Sequence, residues 1–367
     1  MKITGLSINN FRNLKKIDIK PANGMNIFTG NNAQGKTNLL EAIYVLSAGN
    51  SFRNTSDKQL VNYDASRYQI KAYYTYQERF LESTLLYDER DKIFTINKKK
   101  TPHHNQERIK VVLFNPDDLF LVKGAPSKRR NFLDFILQQL SGDYAYNLAN
   151  YAKILKKRNL LLKTEQTNKQ SFAIINQLFI ENAIKVIIQR INLVNILDEI
   201  VQPLFQEING RQNKIKIRYA LSFPVESDKI NLNILQTALS EQLEKKSSDE
   251  IKRKQSLAGP HLDDINFYQD GRAAKIFASQ GQQRNLVICL KLAEVYVFKR
   301  VKGYYPIFLL DEVLAELDEN KRFLLLDHLD KADFQSFLSS VNLGPIDKYN
   351  ANIFYVKNGQ LTRKELQ

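Results

Sequence analysis

One stretch of eight residues near the start of the chain has the residue types that bind phosphate. It matches the pattern G-x-x-x-x-G-K-[ST] and consists of Gly30, Asn31, Asn32, Ala33, Gln34, Gly35, Lys36 and Thr37. In this pattern the glycines let backbone N–H groups surround phosphate oxygens, the lysine reaches the β- and γ-phosphates, and the threonine hydroxyl binds Mg²⁺. The sequence therefore predicts a nucleoside triphosphate site built from all eight residues. Lys36 is also a candidate catalytic residue and Thr37 a candidate metal ligand.

A second group of candidate residues ends an apolar segment, residues 306–310. Asp311 and Glu312 follow this predicted strand, and an aspartate at the carboxyl end of such a strand is typical of a site that holds Mg²⁺ beside a nucleotide. Glu312 would then accept a proton from the attacking water as a general base. Alone, the pair is equally consistent with an acidic helix cap. The upstream phosphate loop favours Asp311 as a metal ligand and Glu312 as a catalytic residue.

A third candidate, residues 279–284 with the sequence Ser-Gln-Gly-Gln-Gln-Arg, lies directly before an apolar helical pattern. A serine hydroxyl, a glycine and several donors at a helix N-terminus make an anion-binding site. A plain helix cap by Ser279 explains the same residues nearly as well. These residues alone do not decide between the two interpretations.

Composition favours a polyanionic partner. Lys and Arg total 54 against 39 Asp and Glu, which gives a net charge of +15 and a pI near 9.5, so the field of the protein attracts nucleic acid. The most apolar stretch, residues 184–197, is interrupted by Lys185, Gln189 and Arg190. Residues 1–13 do not contain the apolar segment of a secretory signal peptide. We therefore expect a cytoplasmic protein without a membrane partner.

Strands must position the phosphate loop, and the first 115 residues are rich in them. A helical pattern over residues 39–46 predicts the helix that follows the loop. Short apolar or alternating segments predict strands at residues 6–8, 17–19, 25–28, 68–74, 93–96 and 111–114. The strand at residues 25–28 directly precedes the loop, as phosphate binding requires. This context disfavours a glycine-rich turn without a ligand.

Beyond the strands, from about residue 129 to residue 207, the apolar residues repeat at helical spacing. The polar stretch 164–170 is expected to turn one long helix back on another as an antiparallel hairpin. A strand is then predicted at residues 215–221 and a lysine-rich helix at residues 232–253. The predicted divisions are the first part of a nucleotide-binding head at 1–125, a helical lid subdomain at 126–210, and the second part of the head at 211–367.

The order of these motifs resembles the RecF family of DNA replication and repair ATPases, which is similar to the heads of SMC and ABC-type ATPases. The phosphate loop, S-Q-G-Q-Q-R, the strand ending in Asp-Glu, and A-E-L-D at residues 315–318 follow one another as in that family. Residues 6–13 (LSINNFRN) and 114–134 (FNPDDLFLVKGAPSKRRNFLD) are also similar, so the resemblance spans essentially the whole chain. It implies an α/β fold: a P-loop ABC/SMC-type ATPase head with a mixed sheet, plus a helical lid.

The resemblance implies an ATP sandwich, in which each nucleotide lies between the phosphate loop of one subunit and the S-Q-G-Q-Q-R motif of the other. Ser279, Gly281 and Gln282 would contact the γ-phosphate bound by the partner subunit, and Ser279 would take part in catalysis. ATP would therefore drive formation of a homodimer. Asp318 would lie in a loop that crosses the dimer seam.

Four other positions have weaker implied roles. Arg12 resembles a basic residue that touches nucleotide phosphates in related heads, but a solvated arginine is equally consistent with the sequence. Arg53 would face either DNA or the nucleotide. Where ABC transporters usually have a histidine, this chain has Ser339 and Ser340, which fits the RecF family. Either serine would orient the water or sense the γ-phosphate.

Two groups of residues have no assigned nucleotide role. His328 lies in an amphipathic helical pattern and is expected to be packed or solvated. Asp117 and Asp118 lie near the place where transporters have a glutamine loop, for which this chain has no assigned counterpart.

DNA is the implied macromolecular partner, bound at gaps or junctions between single-stranded and double-stranded regions. Candidate phosphate contacts form three clusters, each also consistent with a solvated face: Lys123, Lys128, Arg129 and Arg130; Lys153, Lys156, Lys157 and Arg158; and Lys252, Arg253 and Lys254. Such clusters bind the backbone and do not read sequence. The resemblance also implies recombinase loading with RecR and RecO, a role in SOS induction, and slow DNA-stimulated ATP hydrolysis that acts as a switch.

Two other interpretations use the same motifs. A transporter ATPase subunit would need a membrane partner and usually carries a glycine-rich LSGGQ signature, whereas this chain has S-Q-G-Q-Q-R and is strongly basic. A DNA-binding scaffold with a vestigial nucleotide site should have lost at least one essential residue. The chain retains Lys36, Thr37, Asp311, Glu312 and Ser279, which disfavours that interpretation.

Overall fold

The structure is a computed structural model that describes residues 1–102, 105–164, 169–209, 213–226, 230–341 and 349–363. The chain divides into two compact units. Unit 1 comprises Met1–Phe120 and Val287–Gln367, and unit 2 comprises Leu121–Leu286.

The described residues form strands and helices with the following bounds. The strands are β1 Lys2–Phe11, β2 Leu14–Ile19, β3 Met25–Thr29, β4 Tyr68–Tyr76, β5 Arg79–Tyr87, β6 Lys92–Ile96, β7 Lys99–Lys100, β8 Val111–Phe114, β9 Ile215–Ala220, β10 Asp264–Gln269, β11 Arg272–Ala273, β12 Ile307–Asp311, β13 Ser336–Ser340, β14 Ala351–Lys357 and β15 Gln360–Arg363. The α-helices are α1 Lys36–Ala48, α2 Asp57–Leu60, α3 Pro126–Leu140, α4 Gly142–Leu161, α5 Lys169–Asn209, α6 Leu232–Lys245, α7 Ser247–Arg253, α8 Ala274–Phe277, α9 Gln280–Lys302 and α10 Glu319–Lys331. Short 3₁₀ turns cover Pro116–Phe120 and Val313–Glu316.

The sheet that carries the phosphate loop has the order β15-β14-β3-β13-β12-β8. Its strands pair in parallel, except that β15 is antiparallel to β14. All residues of β3, β12 and β13 are buried, as expected for strands of a parallel sheet that is covered on both faces. Because the carboxyl ends of parallel strands meet at one edge, the residues after β3 and β12 come together with the end of β13. The mixed sheet of the predicted head is confirmed.

A second sheet in unit 1 is antiparallel, with the order β2-β1-β4-β5-β6-β7. Its predicted segments all lie within strands, but the sequence does not predict β5. In β5 a polar residue, Ser83, occupies a buried position and an apolar residue, Phe80, is 78% exposed. Because a polar residue is buried and an apolar residue is exposed, the alternation of polar and apolar residues that identifies a strand is obscured.

In unit 2, α4 and α5 form the predicted antiparallel hairpin. Three contacts run in opposite order along the two helices: Arg158 with Asn176, Tyr151 with Phe179, and Tyr144 with Arg190. Most of the predicted turn, residues 165–168, lies outside the described residues. The evidence for the hairpin is therefore the set of contacts between α4 and α5.

Residues that follow the hairpin in sequence also belong to unit 2, whereas the sequence predicts residues 211–286 as part of the head. The small sheet β11-β10-β9 packs its edge strand β9 against α5. On α5, Asp198 and Gln202 accept hydrogen bonds from the backbone N–H groups of Ile217 and Ile215. These bonds satisfy donors that an edge strand would otherwise leave open.

The predicted helix at residues 232–253 is two helices, because Lys246 leaves the helical conformation between α6 and α7. One helix of the described residues, α5 over Lys169–Glu207, is long and apolar enough to span a membrane, with 33% of its most apolar window buried. The sequence does not predict such a span. The core helices of globular proteins can be equally long and apolar. In addition, Arg190 of α5 forms a 2.9 Å ion pair with Asp134. The length and apolar composition of α5 are therefore weak evidence for a membrane span.

Candidate nucleotide-binding site

The phosphate loop lies between β3 and α1, as predicted, and two of its glycines are required by geometry. Gly30 has φ +150° and Gly35 has φ +112°, conformations that L side chains rarely adopt. A Cβ on Gly30 would also lie 2.3 Å from the carbonyl oxygen of Val356. The loop can therefore curl only with glycine at these positions.

Lys36 begins α1 and points its ammonium group back into the loop. Its Nζ donates hydrogen bonds to the carbonyl oxygens of Gly30 at 3.0 Å and Asn31 at 2.9 Å. The side chain is 2% exposed, and its Nζ lies 3.7 Å from Oε1 of Glu312. The positive charge is thus held inside the loop at the N-terminus of a helix, where phosphate is favoured.

Three residues outside the motif hold the loop in place. Asn13 Nδ2 donates to the carbonyl oxygen of Gln34 at 3.2 Å, and the N–H of Gly359 donates to the same oxygen at 2.9 Å. The N–H of Asn358 donates to Oε1 of Gln34 at 2.6 Å. The phosphate-loop motif does not predict these contacts, although the Asn-Gly pair at 358–359 is a strong hairpin signal.

The two acidic residues lie at the end of β12, beside the loop in unit 1. Ser339 on β13 donates from Oγ to Oδ1 of Asp311 at 2.7 Å and accepts a hydrogen bond from the N–H of Glu312 at 2.9 Å. Burial raises the pKa of Asp311, while hydrogen bonds from Ser339 and Thr37 oppose that shift. Glu312 has φ +53°, and its side chain is 43% exposed. The pair is therefore fixed at Asp311 and open to solvent at Glu312.

These residues fit Mg²⁺ bound together with a nucleotide. Thr37 offers a hydroxyl and Asp311 a carboxylate, both hard oxygen ligands, and the two side chains are hydrogen-bonded to each other. No group of three or more His, Cys, Asp or Glu side chains that could hold a metal occurs among the described residues. A site with few protein ligands suits Mg²⁺, which keeps waters and binds substrate phosphates.

Arg12 is neither solvated nor directed into the loop. Its guanidinium donates to both carboxylate oxygens of Glu41 at 3.0 and 2.8 Å. Its side chain is 18% exposed and that of Glu41 is fully buried. Arg53 NH1 lies 3.7 Å from the same carboxylate and donates to Asn38 at 3.1 Å. Both arginines are therefore tied to α1 in this structure.

The residues of the S-Q-G-Q-Q-R motif lie in unit 2 at the start of α9. Gln282 Oε1 accepts from the N–H of Ser279 at 2.8 Å, and Ser279 Oγ accepts from the N–H of Gln282 at 3.2 Å. This reciprocal pair is a capping box. Ser279, Gly281 and Gln282 are all exposed, so the helix cap leaves these three residues accessible from solvent.

Other candidate residues have structural partners. Asp318 caps α10 by accepting from the N–H of Lys321 at 3.0 Å. His328 is packed, as expected, with Nε2 3.0 Å from the hydroxyl of Tyr296. Asp118 lies 4.0 Å from Lys291.

Two arginines predicted to contact DNA are instead buried, which corrects that part of the prediction. Arg129 is paired with Asp264 at 2.6 Å and its side chain is 2% exposed. Arg158 is paired with Glu250 at 2.5 Å and its side chain is 1% exposed. A buried guanidinium that left its carboxylate partner would leave an uncompensated charge behind. These two arginines cannot serve as surface contacts.

Known proteins resemble this chain over its full length. A family model described as the RecF/RecN/SMC N terminal domain matches residues 2–362. The DNA replication and repair protein RecF of Geobacillus sp. (strain WCH70) is 37% identical over 376 residues, covering 99% of each chain. The chain belongs to the RecF family. Another RecF relative, from Bacillus subtilis (strain 168), is 35% identical and is matched over 100% of its length by 99% of this chain.

Solved structures agree with the RecF assignment. A structure described as the recombination mediator protein RecF-ATP in the RecFOR pathway has a TM-score of 0.88 and 29% identity, covering 99% of this chain and 98% of that one. An Smc head domain derived from Pyrococcus furiosus has a TM-score of 0.56 at 14% identity, covering 100% of this chain and 96% of that one, which supports the fold alone. The RecF resemblance and the ATPase-head fold predicted from the motifs are confirmed.

Proposed function

We propose that this member of the RecF family is an ATP-binding protein of DNA replication and repair. Its relatives carry that name, and a similar structure is described as RecF-ATP. The main support for ATP binding is the position of Lys36, whose Nζ lies inside the phosphate loop, 3.7 Å from Oε1 of Glu312. Phosphoryl transfer requires groups that position and neutralise phosphate oxygens. This sheet edge provides a basic group, a loop of backbone donors and a carboxylate.

The residues of the site have complementary roles in ATP hydrolysis. Backbone N–H groups of Gly30–Thr37 surround the phosphates, and Lys36 offsets their negative charge. Thr37 and Asp311 would hold Mg²⁺, which would supply positive charge to offset the negative charge of the phosphates. Glu312 accepts the proton of the attacking water, a role that its partly exposed carboxylate permits.

The exposed motif at the start of α9 supports ATP-dependent homodimerisation. Ser279, Gly281 and Gln282 are open to a second copy of the chain, and a helix N-terminus favours a phosphate placed against it. In the dimer, Ser279 contacts the γ-phosphate held by the other subunit. Hydrolysis then removes the γ-phosphate that links the two subunits, and the dimer separates. Because hydrolysis is slow, the dimer persists until ATP is hydrolysed, and ATP acts as a switch.

DNA is the proposed macromolecular partner. The net charge of +15 favours binding to a phosphate backbone, and the RecFOR description of the similar structure supports action with RecR and RecO. The protein acts in the cytoplasm, in recombinational repair and SOS induction. It binds DNA at gaps or at junctions between single-stranded and double-stranded regions. The ATPase is expected to be slow and stimulated by DNA.

ATP turnover with and without gapped DNA tests this proposal. The native chain should hydrolyse ATP slowly and faster with DNA, Lys36→Met should not bind ATP, and Glu312→Gln should bind ATP without hydrolysing it. A native chain that binds ATP but shows no turnover with or without DNA would favour the vestigial-scaffold interpretation. A native chain that does not bind ATP would contradict the proposal.

A further inference from the structure

A buried ion pair fixes the positions of two basic segments in unit 2. Arg158 of α4 and Glu250 of α7 are 2.5 Å apart, and each side chain is 1% exposed. Next to them, Asn159 Oδ1 accepts hydrogen bonds from the N–H and the hydroxyl of Ser256 at 2.8 and 2.7 Å. The C-terminal half of α4 and the segment after α7 are therefore joined rigidly.

The lysines that flank this pair in sequence point to solvent. Lys153 and Lys157 are exposed, and their spacing of four residues places them on one ridge of α4. The next position of that ridge is Leu161. Leu161 lines a cavity of about 440 Å³ together with Lys163, Thr164, Lys169, Lys254 and apolar side chains including Phe172 and Ile251.

The ridge and the cavity form one cationic surface, which we call the hairpin basic surface. It consists of Lys153, Lys157, Lys163, Lys169 and Lys254. Among the described residues, none of these lysines forms a salt bridge. In the sequence, no carboxylate occurs between Tyr144 and Thr164, and Glu165 is the one acidic residue between Lys163 and Lys169. The exposed acidic residue of α7 is Asp249, at the opposite end of that helix from Lys254. Five like charges at one surface repel one another, and a polyanion would relieve that repulsion.

We propose that the hairpin basic surface binds the phosphate backbone of DNA. This inference rests on the proposed function and assigns the DNA contact to one of the basic regions of the chain. From Lys153 to Leu161 the helix rises about 12 Å, the length of about three to four base pairs of duplex at 3.4 Å each. Of the cluster predicted around Lys153, Lys153 and Lys157 serve as contacts, while the buried Arg158 fixes the position of the helix that carries them.

A salt titration of DNA binding tests the assignment with a charge-matched control. The test variant is Lys153→Gln/Lys157→Gln/Lys163→Gln. The control is Lys98→Gln/Lys99→Gln/Lys100→Gln, which removes the same charge from an exposed basic run in unit 1. Binding to fluorescent gapped duplex would be followed by anisotropy with ATP and Mg²⁺ over a range of salt concentrations. Thermal melting and ATP turnover without DNA, which neither variant should change, check the fold.

Each lysine that contacts a duplex phosphate contributes about 0.9 to the slope of log affinity against log salt. The test variant should therefore show a slope that is shallower by up to about 2.7, and an affinity at 0.1 M salt that falls by up to about eightfold per lysine. The control should keep the native slope.

Three outcomes would separate this inference from the proposed function. A native slope in the test variant, with or without a loss in the control, would overturn the inference while DNA binding itself stands. Equal losses in both variants would show an effect of net charge and would also overturn it. Absence of DNA binding by the native chain would contradict the proposed function.

Discussion

The hydroxyl of Ser339 lies 2.7 Å from a carboxylate oxygen of Asp311 and donates a hydrogen bond to it. The same hydroxyl accepts a hydrogen bond from the backbone of Glu312 at 2.9 Å. A serine on one parallel strand thus orients both acidic residues at the end of the neighbouring strand. The sequence suggests that Ser339 or Ser340 orients water or senses the γ-phosphate; the geometry favours Ser339, acting through the acidic pair.

Ser339→Ala should reduce ATP turnover by about 10–100-fold, the usual effect of removing a group that orients a metal ligand. The Mg²⁺ concentration needed for half-maximal turnover should rise, because Asp311 loses its donor. Ser340→Ala is the control, since neighbouring residues of a strand point to opposite faces. Native turnover by Ser339→Ala at every Mg²⁺ concentration would show that Ser339 does not position the site.

Arg12→Ala should lower the free energy of unfolding by about 3 kcal/mol, because the buried carboxylate of Glu41 loses its bidentate partner. Lys15→Ala is a suitable control. Its ion pair with Asp64 leaves the two side chains 74% and 72% exposed, so its loss should leave the free energy of unfolding nearly unchanged. Urea unfolding gives both values. A variant of Arg12 with native stability but weaker ATP binding would instead support the nucleotide contact implied by the family resemblance.

The positions of the phosphate loop and the Asp-Glu pair were predictable because their chemistry is local in sequence. Gly30–Thr37 and Asp311–Glu312 each follow an apolar strand, and the structure places each at a strand end. The partners of Arg12 and Arg158 were not predictable. Glu41 is 29 residues from Arg12 and Glu250 is 92 residues from Arg158, and no spacing rule connects them.

Gly359→Ala should weaken ATP binding and lower the free energy of unfolding by about 1–3 kcal/mol. Gly359 has φ +71°, and a Cβ there would lie 2.2 Å from the carbonyl oxygen of Asn13. The turn would have to leave the phosphate loop, to which it now donates through Gln34.

Gly271→Ala is the matched control for Gly359→Ala. Gly271 has φ +79° in another hairpin turn, but a Cβ there would have no heavy atom within 4 Å. It should therefore show the backbone strain alone, with native ATP affinity. Calorimetric ATP titrations of both variants measure the difference, and equal ATP affinities would contradict a supporting role for the Asn358–Gly359 turn.

Glu294 should make stability depend on pH. Burial raises the pKa of Glu294 from 4.5 to about 7, although Lys291 opposes the shift and Asp118 adds to it. Between these two values the unfolded chain releases the proton and the folded protein keeps it, so the contribution of Glu294 to the free energy of unfolding falls as pH rises and levels off above about 7.

Glu294→Gln should remove this dependence. Relative to the variant, the native protein should lose stability on the order of 1–3 kcal/mol between about pH 4.5 and pH 7. Urea unfolding at several pH values measures it, with the exposed Glu241→Gln as a control that should follow the native curve. Parallel native and Glu294→Gln curves would contradict the raised pKa.

ATP-dependent dimerisation is the central claim, and light scattering with ATP and Mg²⁺ tests it most directly. The native chain and Glu312→Gln should dimerise, the latter more persistently because it does not hydrolyse ATP, whereas Lys36→Met and Ser279→Arg should stay monomeric. A native chain that binds ATP yet remains monomeric with and without gapped DNA would contradict the account.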